Sequence, residues 1–486
     1  MRPKLRFLSD DLAARIVSEA RDLLAKVGVA VLNDEARSLL SDHGAKVDLA
    51  AGRVTFPPGV IDQALKSVPR SFKLYDVLGV ETNDFSEDKV HFTPGSSTIN
   101  FLDSGTWAIR KPSSEDYVRY AKLMSRLGWI ASQSTAFIPT DVHERVSDSY
   151  RLYLSLLYCE KPVVTGTFTA RAFQVMRDLQ LAVRGSDAAL RAKPLTVFSA
   201  CPTSPLKWSG VTSQTLLDCA RAGVPVEYIA MPLTGFMAPV TLVGTLVQHT
   251  AETLSGVAIS QFASPGAPAL YGGSPAAFDV RYETTPMGAA ETQMTDCAIT
   301  EIGHSLGFPT QAYIGMSDSK ELDAQAGLET AMGATLAVLS GINNVSGPGI
   351  LDFENCQSLE KLVLDNEVCG LALRLARGIE PKDDFPSTPL FEELNREGHL
   401  LIAKHTRKHL KGELHYPGPV IDRANHGRWK EEGGLPLLAR AKREVDAHLK
   451  AYAPSRLPAA AKADLTRIME SEARRHGMDR LPRRPG

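Results

Sequence analysis

The sequence predicts an α/β protein built around a (β/α)8 barrel, with an N-terminal α+β segment and a C-terminal helical extension. Three observations support this fold. Short apolar runs recur roughly every 31 to 43 residues, each ends in a loop of Gly, Ser, Pro and Asp, and a segment with helical periodicity follows each loop. Eight such strand–loop–helix units fill residues 88–378. This number and length of units is typical of a single closed barrel.

The first 87 residues predict a compact α+β segment. Residues 10–26 have apolar side chains at helical spacing, and Ser9 is placed to cap that helix. A second helix follows Asn33, residues 45–56 predict a hairpin, and residues 59–67 predict a third helix. The segment carries no cluster of reactive side chains, so we expect it to have a structural or interface role.

The barrel domain is predicted over residues 88–378, where a proline precedes or opens most strands, as suits a strand that starts after a turn. The first unit is the least regular and is also compatible with a hairpin over residues 91–111. The predicted strands are residues 90–94, 129–136, 162–167, 194–200, 225–230, 268–271, 309–314 and 341–345.

The C-terminal extension, residues 379–486, is predicted to consist of charged helices separated by a stretch rich in turn residues. These helices have three possible partners: the barrel, a second subunit or another protein. We expect the chain to form a homo-oligomer.

Composition excludes several classes of protein. The chain of 486 residues is 43% hydrophobic with a formal net charge of −2, which is ordinary for a globular protein and gives no basic surface for nucleic acid. No apolar run is long enough to span a membrane, and the first residues lack a signal peptide, so a cytoplasmic protein is expected. The six cysteines form no CxxC pair, and no metal site is predicted.

The loops that follow parallel strands lie on one face, so their side chains identify the candidate site. Aromatic rings beside carboxylates suit a quaternary ammonium group, which is attracted by both. The simpler alternative is that these residues form turns and helix caps. Cys201 ends a strand and is either reactive or a buried apolar thiol, and no catalytic residue is assigned. The predicted substrate-binding residues are Phe137, Tyr271, Phe278, Asp279, Tyr313, Ser317 and Asp318.

Two runs in these loops, GGSPAAFD at residues 272–279 and SDSKELDAQAG at residues 317–327, resemble the trimethylamine methyltransferase (MttB-type) superfamily, as does HYPGPVIDR at residues 415–423. The resemblance implies a TIM barrel that moves a methyl group from a methylated amine to the cobalt of a separate corrinoid (cobalamin) protein, with no cofactor bound to this chain. The archaeal trimethylamine enzymes of the family carry pyrrolysine, whereas this chain has only standard residues. It is therefore more similar to the branch without pyrrolysine, which includes enzymes acting on quaternary amines such as glycine betaine and related betaines.

The chemistry of a quaternary amine agrees with a methyltransferase that has no pyrrolysine. A methyl group on a positive nitrogen can be taken directly by a strong nucleophile, and no catalytic acid is needed because a neutral tertiary amine leaves. We therefore expect a methyltransferase acting on glycine betaine or a related betaine. The alternatives are a non-catalytic betaine-binding barrel, a methyltransferase for trimethylamine or another methylamine, and a barrel enzyme of different chemistry, such as a lyase using Asp or Cys201.

The loop after the last strand is a candidate for docking the corrinoid protein. Gly347, Gly349 and Asp352 lie in it, and glycine allows a backbone to approach a flat macrocycle closely. The alternative is that the Gly-Pro-Gly sequence only turns the chain from strand to helix.

Overall fold

The protein has a mixed α/β fold in a computed structural model that describes residues 2–169 and 171–483. The predicted C-terminal extension therefore runs past the described residues by its last three positions. Within the described residues, no helix combines the length and the apolar character that crossing a membrane requires.

A series of parallel strands forms the centre of the molecule, and each strand overlaps one of the predicted strands. We number them first to eighth in chain order. Among the described residues they are His91–Thr93, Gln133–Ser134, Val163–Gly166, Thr196–Ala200, Val226–Ala230, Ala269–Gly273, Gln311–Tyr313 and Asn344–Ser346.

Two parallel sheets are made from this series. The second to sixth strands pair in chain order, with Val164 opposite Ser134 and Tyr228 opposite Tyr271. The seventh, eighth and first strands form the other sheet, and Val345 lies opposite Phe92. Single parallel bridges join Tyr271 to Thr310 and Phe92 to Ile130. The only pairing found among these strands in the described part of the chain is parallel, as strand–helix–strand units require.

A helix follows each strand of the series. Most begin at a Ser, Thr or Asp whose side chain accepts a hydrogen bond from the first turn, for example Thr241 before the longest helix and Asp323 before the seventh. These helices are Ser114–Met124, Glu144–Tyr158, Ala172–Arg184, Gly210–Ala222, Leu242–Ala263, Ala290–Ser305, Ala324–Ser340 and Leu359–Ala376, with a short additional helix at Asp187–Ala192.

Short strands are inserted in the loops of the series. In the first unit, Asn100–Leu102 pairs antiparallel with Ile109–Arg110, so this unit contains both a parallel strand and the hairpin considered from the sequence. The other inserted strands are Lys207–Trp208, Leu233–Thr234, Ala276–Ala277, Ile350–Leu351 and Cys356–Gln357.

The N-terminal residues form a small α+β unit that shares a sheet with the fourth unit of the series. Strand Val29–Val31 pairs antiparallel with Arg53–Thr55 and parallel with the inserted strand Lys207–Trp208. The predicted hairpin is present, because Lys46–Asp48 pairs antiparallel with Arg53–Thr55. The remaining elements are helices Asp10–Lys26, Asp34–Asp42 and Val60–Leu65 and strands Lys73–Tyr75 and Glu81–Asp84.

The C-terminal residues are helical and attach to the series unevenly. Helix Leu437–Lys450 packs on Leu359–Ala376, and helix Ala459–Arg475 packs on Glu144–Tyr158 and its successor. By contrast, helices Thr388–Glu397 and Lys404–Glu413 bury none of their residues. Another short helix lies at His426–Glu431.

Candidate active site at the strand ends

Glu227 is a carboxyl group buried at the centre of the parallel strands. Its neighbour Tyr228 points to the surrounding helices, where its hydroxyl donates a hydrogen bond to Ser260 Oγ at 2.9 Å. Because strand side chains alternate, Glu227 faces the opposite way, which we call the inner face. There it accepts hydrogen bonds from Ser199 Oγ at 2.7 Å and Asn344 Nδ2 at 3.0 Å. Side chains from the fourth, fifth and eighth strands therefore meet at one point.

Burial controls the charge of this group. Glu227 has no exposed surface, and loss of hydration raises its pKa to about 7, although its hydrogen bonds to Ser199 and Asn344 favour the charged form. The carboxyl can therefore change its protonation state near neutral pH.

Tyr313, at the end of the seventh strand, also lies on the inner face. Its hydroxyl shares a hydrogen bond with Ser96 Oγ at 3.1 Å, which joins the loop after the first strand to the seventh strand. Its ring packs in an apolar cluster with Ile229, Met287 and Met316. Burial raises its pKa well above the usual range, and the charges of Glu354 and Glu227 raise it further. The Tyr313 hydroxyl is therefore neutral and lies within electrostatic reach of both carboxyls.

Glu354 is placed by an unusual loop after the eighth strand. Asp352, Phe353 and Glu354 have φ values of 54°, 54° and 70°, a left-handed conformation that non-glycine residues rarely adopt. Antiparallel pairing of Ile350–Leu351 with Cys356–Gln357 fixes both ends of this turn. Strained backbone of this kind is concentrated at functional sites.

The Glu354 carboxyl is half-buried, and the loss of hydration raises its pKa to about 8. Asp296, on the helix after the sixth strand, is completely buried, and neither of its carboxyl oxygens has a hydrogen-bond partner among the described residues. Burial, and then the charge of Glu354, raise the Asp296 pKa well above its usual range. Asp296 and Glu354, two carboxyl groups with raised pKa values, therefore lie near one another.

Cys201 borders the same group of residues. Solvent reaches its side chain, yet the surrounding protein desolvates the thiol and raises its pKa to about 12, with the charges of Glu227 and Glu354 acting in the same direction. A thiol held neutral in this way is a poor nucleophile, because the thiolate is the reactive form.

The arrangement of Glu227, Tyr313 and Glu354 can bind a positive group. The Tyr313 ring packs among apolar side chains, and Glu227 and Glu354 are both close enough to act electrostatically on its hydroxyl. Cations are attracted to aromatic rings and to carboxylates. Sequence reasoning missed Glu227 and Glu354. The signal for Glu227 was a single acidic residue inside the apolar run VEYIA, because glutamate is rarely buried without a specific role.

The family model described as trimethylamine methyltransferase (MTTB) matches residues 1–477. The chain belongs to this family.

Several known proteins are similar to this chain over nearly their full length. The trimethylamine methyltransferase MttB of Desulfitobacterium hafniense is 27% identical over 97% of this chain and 95% of that protein. The trimethylamine methyltransferase MttB2 of Methanosarcina mazei is 30% identical over 91% of this chain and 90% of that protein. The glycine betaine methyltransferase of Desulfitobacterium hafniense is 28% identical over 94% of each chain. The solved monomethylamine methyltransferase of Methanosarcina barkeri has a TM-score of 0.48 and 12% identity, over 93% of this chain and 96% of that one.

In this MTTB-family chain, the predicted aromatic residues lie in different surroundings. Tyr313 joins the inner-face group described above. Tyr271 has no exposed surface, and its hydroxyl donates to Thr250 Oγ1 at 3.0 Å on the helix side of its strand. Phe137 is packed among Phe101 and other buried rings. Phe278 stacks on Phe236 with ring centroids 4.6 Å apart. The structure therefore does not bring Tyr271 and Phe137 beside Tyr313.

The predicted polar residues connect neighbouring loops. Asp318 accepts hydrogen bonds from the backbone amides of Met287 and Gly288 at 2.8 and 2.9 Å, and burial raises its pKa to about 6. Ser317 Oγ donates to Glu329 at 2.6 Å. Asp279 forms an ion pair with Arg281 at 2.6 Å, and this partner lowers the Asp279 pKa to about 2. These contacts hold the loops in place, and a role for the three residues in substrate binding stays a prediction.

The predicted rim residues are closely packed against their own chain. A side chain at Gly347 would place its Cβ 2.3 Å from the carbonyl oxygen of Ile314, and one at Gly349, where φ is +89°, would lie 2.2 Å from Gln357. Packing within the chain is thus sufficient to require both glycines. Asp352 lies 4.0 Å from the Lys320 ammonium. Docking by these residues stays a prediction.

Glu301 and His304 are one turn apart on the helix after the sixth strand, and Glu301 binds the N-terminal residues. The Glu301 carboxylate accepts hydrogen bonds from the backbone amides of Phe7 and Leu8 at 2.6 and 3.2 Å. His304 lies beside Asn343 and Thr310. The two side chains therefore have separate hydrogen-bond partners.

Proposed function

We propose that this chain is a methyltransferase that moves a methyl group from a quaternary amine, glycine betaine or a related betaine, to the cobalt of a separate corrinoid protein. The observation that supports it is that Glu227 and Glu354 both lie close enough to Tyr313 to act electrostatically on its hydroxyl. Desolvated carboxyls and an aromatic ring are suited to a permanent cation that cannot donate hydrogen bonds. The glycine betaine methyltransferase among the relatives supports the same substrate class.

The chain's own residues have three tasks in this reaction. The carboxylates attract the ammonium group, the Tyr313 ring and its apolar neighbours orient the N–CH₃ bonds, and the apolar packing keeps water away. A corrinoid on the partner would supply the nucleophile that accepts the methyl group. No residue of this chain has to donate a proton, because a neutral amine leaves.

Lys320 supports a betaine over a ligand without a carboxylate. Its ammonium lies 3.8 Å from the centre of the Phe353 ring, the residue that precedes Glu354 in the chain, and donates a hydrogen bond to the backbone carbonyl of Asp318 at 2.7 Å. A betaine has a carboxylate next to its ammonium group, and Lys320 can serve as the partner of that carboxylate.

The proposal includes the closed (β/α)8 barrel predicted from the sequence, over residues 88–378 between an N-terminal segment and a C-terminal extension. The parallel pairings within both sheets support closure, together with the bridges Tyr271–Thr310 and Phe92–Ile130. In such a barrel the strand ends form one open mouth, which is where the site would lie.

The mouth suits a protein partner because its loops expose apolar side chains. Phe236 and Val240, after the fifth strand, are 60% and 77% exposed, and Val280 and Tyr282, after the sixth, are 73% and 74% exposed. Apolar patches of this kind mark interaction surfaces. We propose that a corrinoid protein docks on these loops and on the neighbouring Gly347–Asp352 loop. Exposed apolar residues of the C-terminal extension, such as Ile379 and Phe385, support a homo-oligomer in addition.

The direct test mixes the purified chain, a corrinoid protein with reduced cobalt, and one candidate amine, and follows the cobalt absorbance. We expect methylation with glycine betaine or a related betaine and release of the demethylated amine. Methylation with trimethylamine alone would favour the methylamine alternative. Betaine binding without any methyl transfer would favour a binding protein.

Tyr313 gives a test of the pocket that needs no partner. Tyr313→Ala is expected to weaken binding of a quaternary ammonium ligand by roughly 1–2 kcal/mol, the scale of a desolvated cation–π contact, which is about 5- to 30-fold. Calorimetry with glycine betaine and choline would measure it. Tyr313→Phe is the matched control, since it keeps the ring and loses only the hydroxyl bonded to Ser96. Equal weakening in both variants would assign the effect to the hydroxyl and contradict the ring's role.

A further inference from the structure

A cluster of two histidines and an aspartate lies in the C-terminal extension. His405 and His409 are one turn apart on helix Lys404–Glu413, and Asp383 lies in the loop before the preceding helix. One ligand atom from each residue lies within 4.8 Å of the other two. We propose that these residues form a binding site for a divalent transition metal, of which Zn²⁺ is the best fit.

The side-chain chemistry fits this class of metal. Imidazole nitrogen and carboxylate oxygen are the donors that Zn²⁺ takes in proteins, at about 2.0–2.2 Å, so its ligand atoms lie about 3.3 Å apart in a tetrahedral site. Two histidines at positions i and i+4 face the same side of a helix, so both side chains can reach one ion.

One donor of the cluster has no partner at present. The Nε2 atom of His405 is shielded from solvent and has no hydrogen bond among the described residues. A buried ring nitrogen of this kind costs free energy unless a ligand satisfies it. The Asp384 carboxylate lies 3.8 Å from the same nitrogen and can supply a fourth ligand.

The surroundings orient the other donors. His409 Nε2 already contacts the Asp383 carboxylate, whose second oxygen accepts a hydrogen bond from the Lys408 ammonium at 2.7 Å. Carboxylates that bind metals are commonly held by a hydrogen bond of this type to the oxygen that faces away from the ion. The backbone amide of Lys382 holds Asp384 in the same way, at 2.7 Å.

The site would stabilise a part of the chain that has little other support. Helices Thr388–Glu397 and Lys404–Glu413 bury no residues, so few packing contacts fix the loop at Asp383 against the second helix. A metal bound by both elements would join them directly, and its binding energy would contribute to their folded state. The proposed methyl transfer does not depend on this role.

The test uses the full chain without an affinity tag, freed of metal with a chelator. Zn²⁺ is then titrated in competition with a chromogenic chelator, and the metal retained after gel filtration is counted by mass spectrometry. We expect one Zn²⁺ per chain and a visible absorption spectrum typical of tetrahedral coordination when Co²⁺ replaces it. Hydrogen exchange in residues 383–413 should slow when Zn²⁺ is added.

His405→Ala and the near-isosteric Asp383→Asn should each lower the affinity on the order of 100-fold and abolish the protection of residues 383–413. The control is His399→Ala, because His399 is exposed in the same segment and outside the cluster. It should bind Zn²⁺ like the unaltered chain. Less than one equivalent retained by the unaltered chain, or equal affinity in all variants, would overturn the proposal and leave an ordinary hydrogen-bonded cluster.

Discussion

Glu354→Gln is expected to weaken binding of a quaternary ammonium ligand by roughly 30- to 1,000-fold at pH 9. At that pH the native carboxyl is ionised, because its raised pKa is about 8. Replacing it with a neutral amide of the same shape removes a charge from a desolvated site, where attraction between close opposite charges is worth roughly 2–4 kcal/mol. Calorimetry with choline, which carries no charge besides its ammonium, isolates this effect.

The pH dependence gives the same test a second readout. Below the raised pKa values of Glu227, about 7, and Glu354, about 8, both groups are protonated and neutral. Affinity should therefore rise as pH increases through this range and level off above it. In Glu354→Gln the part of the affinity increase that occurs near the Glu354 pKa should disappear. The matched control is Glu321→Gln, an exposed residue after the seventh strand. Affinity that is independent of pH in the unaltered chain would contradict the pocket.

Lys361→Met is expected to reduce the free energy of unfolding by about 3–5 kcal/mol. Lys361 and Asp365 have no exposed surface and form an ion pair at 2.5 Å, and the Lys361 ammonium also donates to Thr330 Oγ1 at 2.7 Å. Removing the ammonium leaves a carboxylate buried without its counter-charge, which is one of the costliest single changes in a protein. Asp365 also accepts the backbone amide of Gly349, so the loop after the eighth strand should loosen as well.

Denaturant unfolding measures this loss, and an exposed pair provides the comparison. Lys26 and Asp22 form an ion pair with the same four-residue spacing on a solvent-exposed helix face. Lys26→Met should leave the unfolding curve unchanged within error, because solvent screens such pairs. Equal loss in both variants would mean that burial of the Lys361 pair has no special effect.

The order of strands and helices was accessible from the sequence because each unit repeats the same local signals. Prolines before apolar runs and small polar residues after them marked the strands, and capping residues such as Asp323 marked the helices. These signals act over a few residues. The partner of each inserted strand depends on contacts between distant parts of the chain, for example Val29–Val31 with Lys207–Trp208, which local patterns do not encode.

The candidate site was harder to predict because strands buried on both faces lose their alternating pattern. In VEYIA every residue is buried, so the sequence did not reveal that Glu227 faces inward while Tyr228 faces the helices. The same ambiguity placed Tyr271 in the predicted pocket, although its hydroxyl bonds to a helix. Glu354 depends on three left-handed residues in succession, a conformation that no local propensity predicts.

The raised pKa values of Glu227 and Glu354 would couple the binding of a cation to the release of hydrogen ions. Near neutral pH the raised pKa values of Glu227 and Glu354 keep a share of both carboxyls protonated, and an incoming cation favours the ionised forms. Hydrogen ions would then leave as the amine enters, and the surrounding buffer would take them up. The heat of binding would consequently vary with the ionisation enthalpy of that buffer, and local acidification would oppose uptake of the substrate.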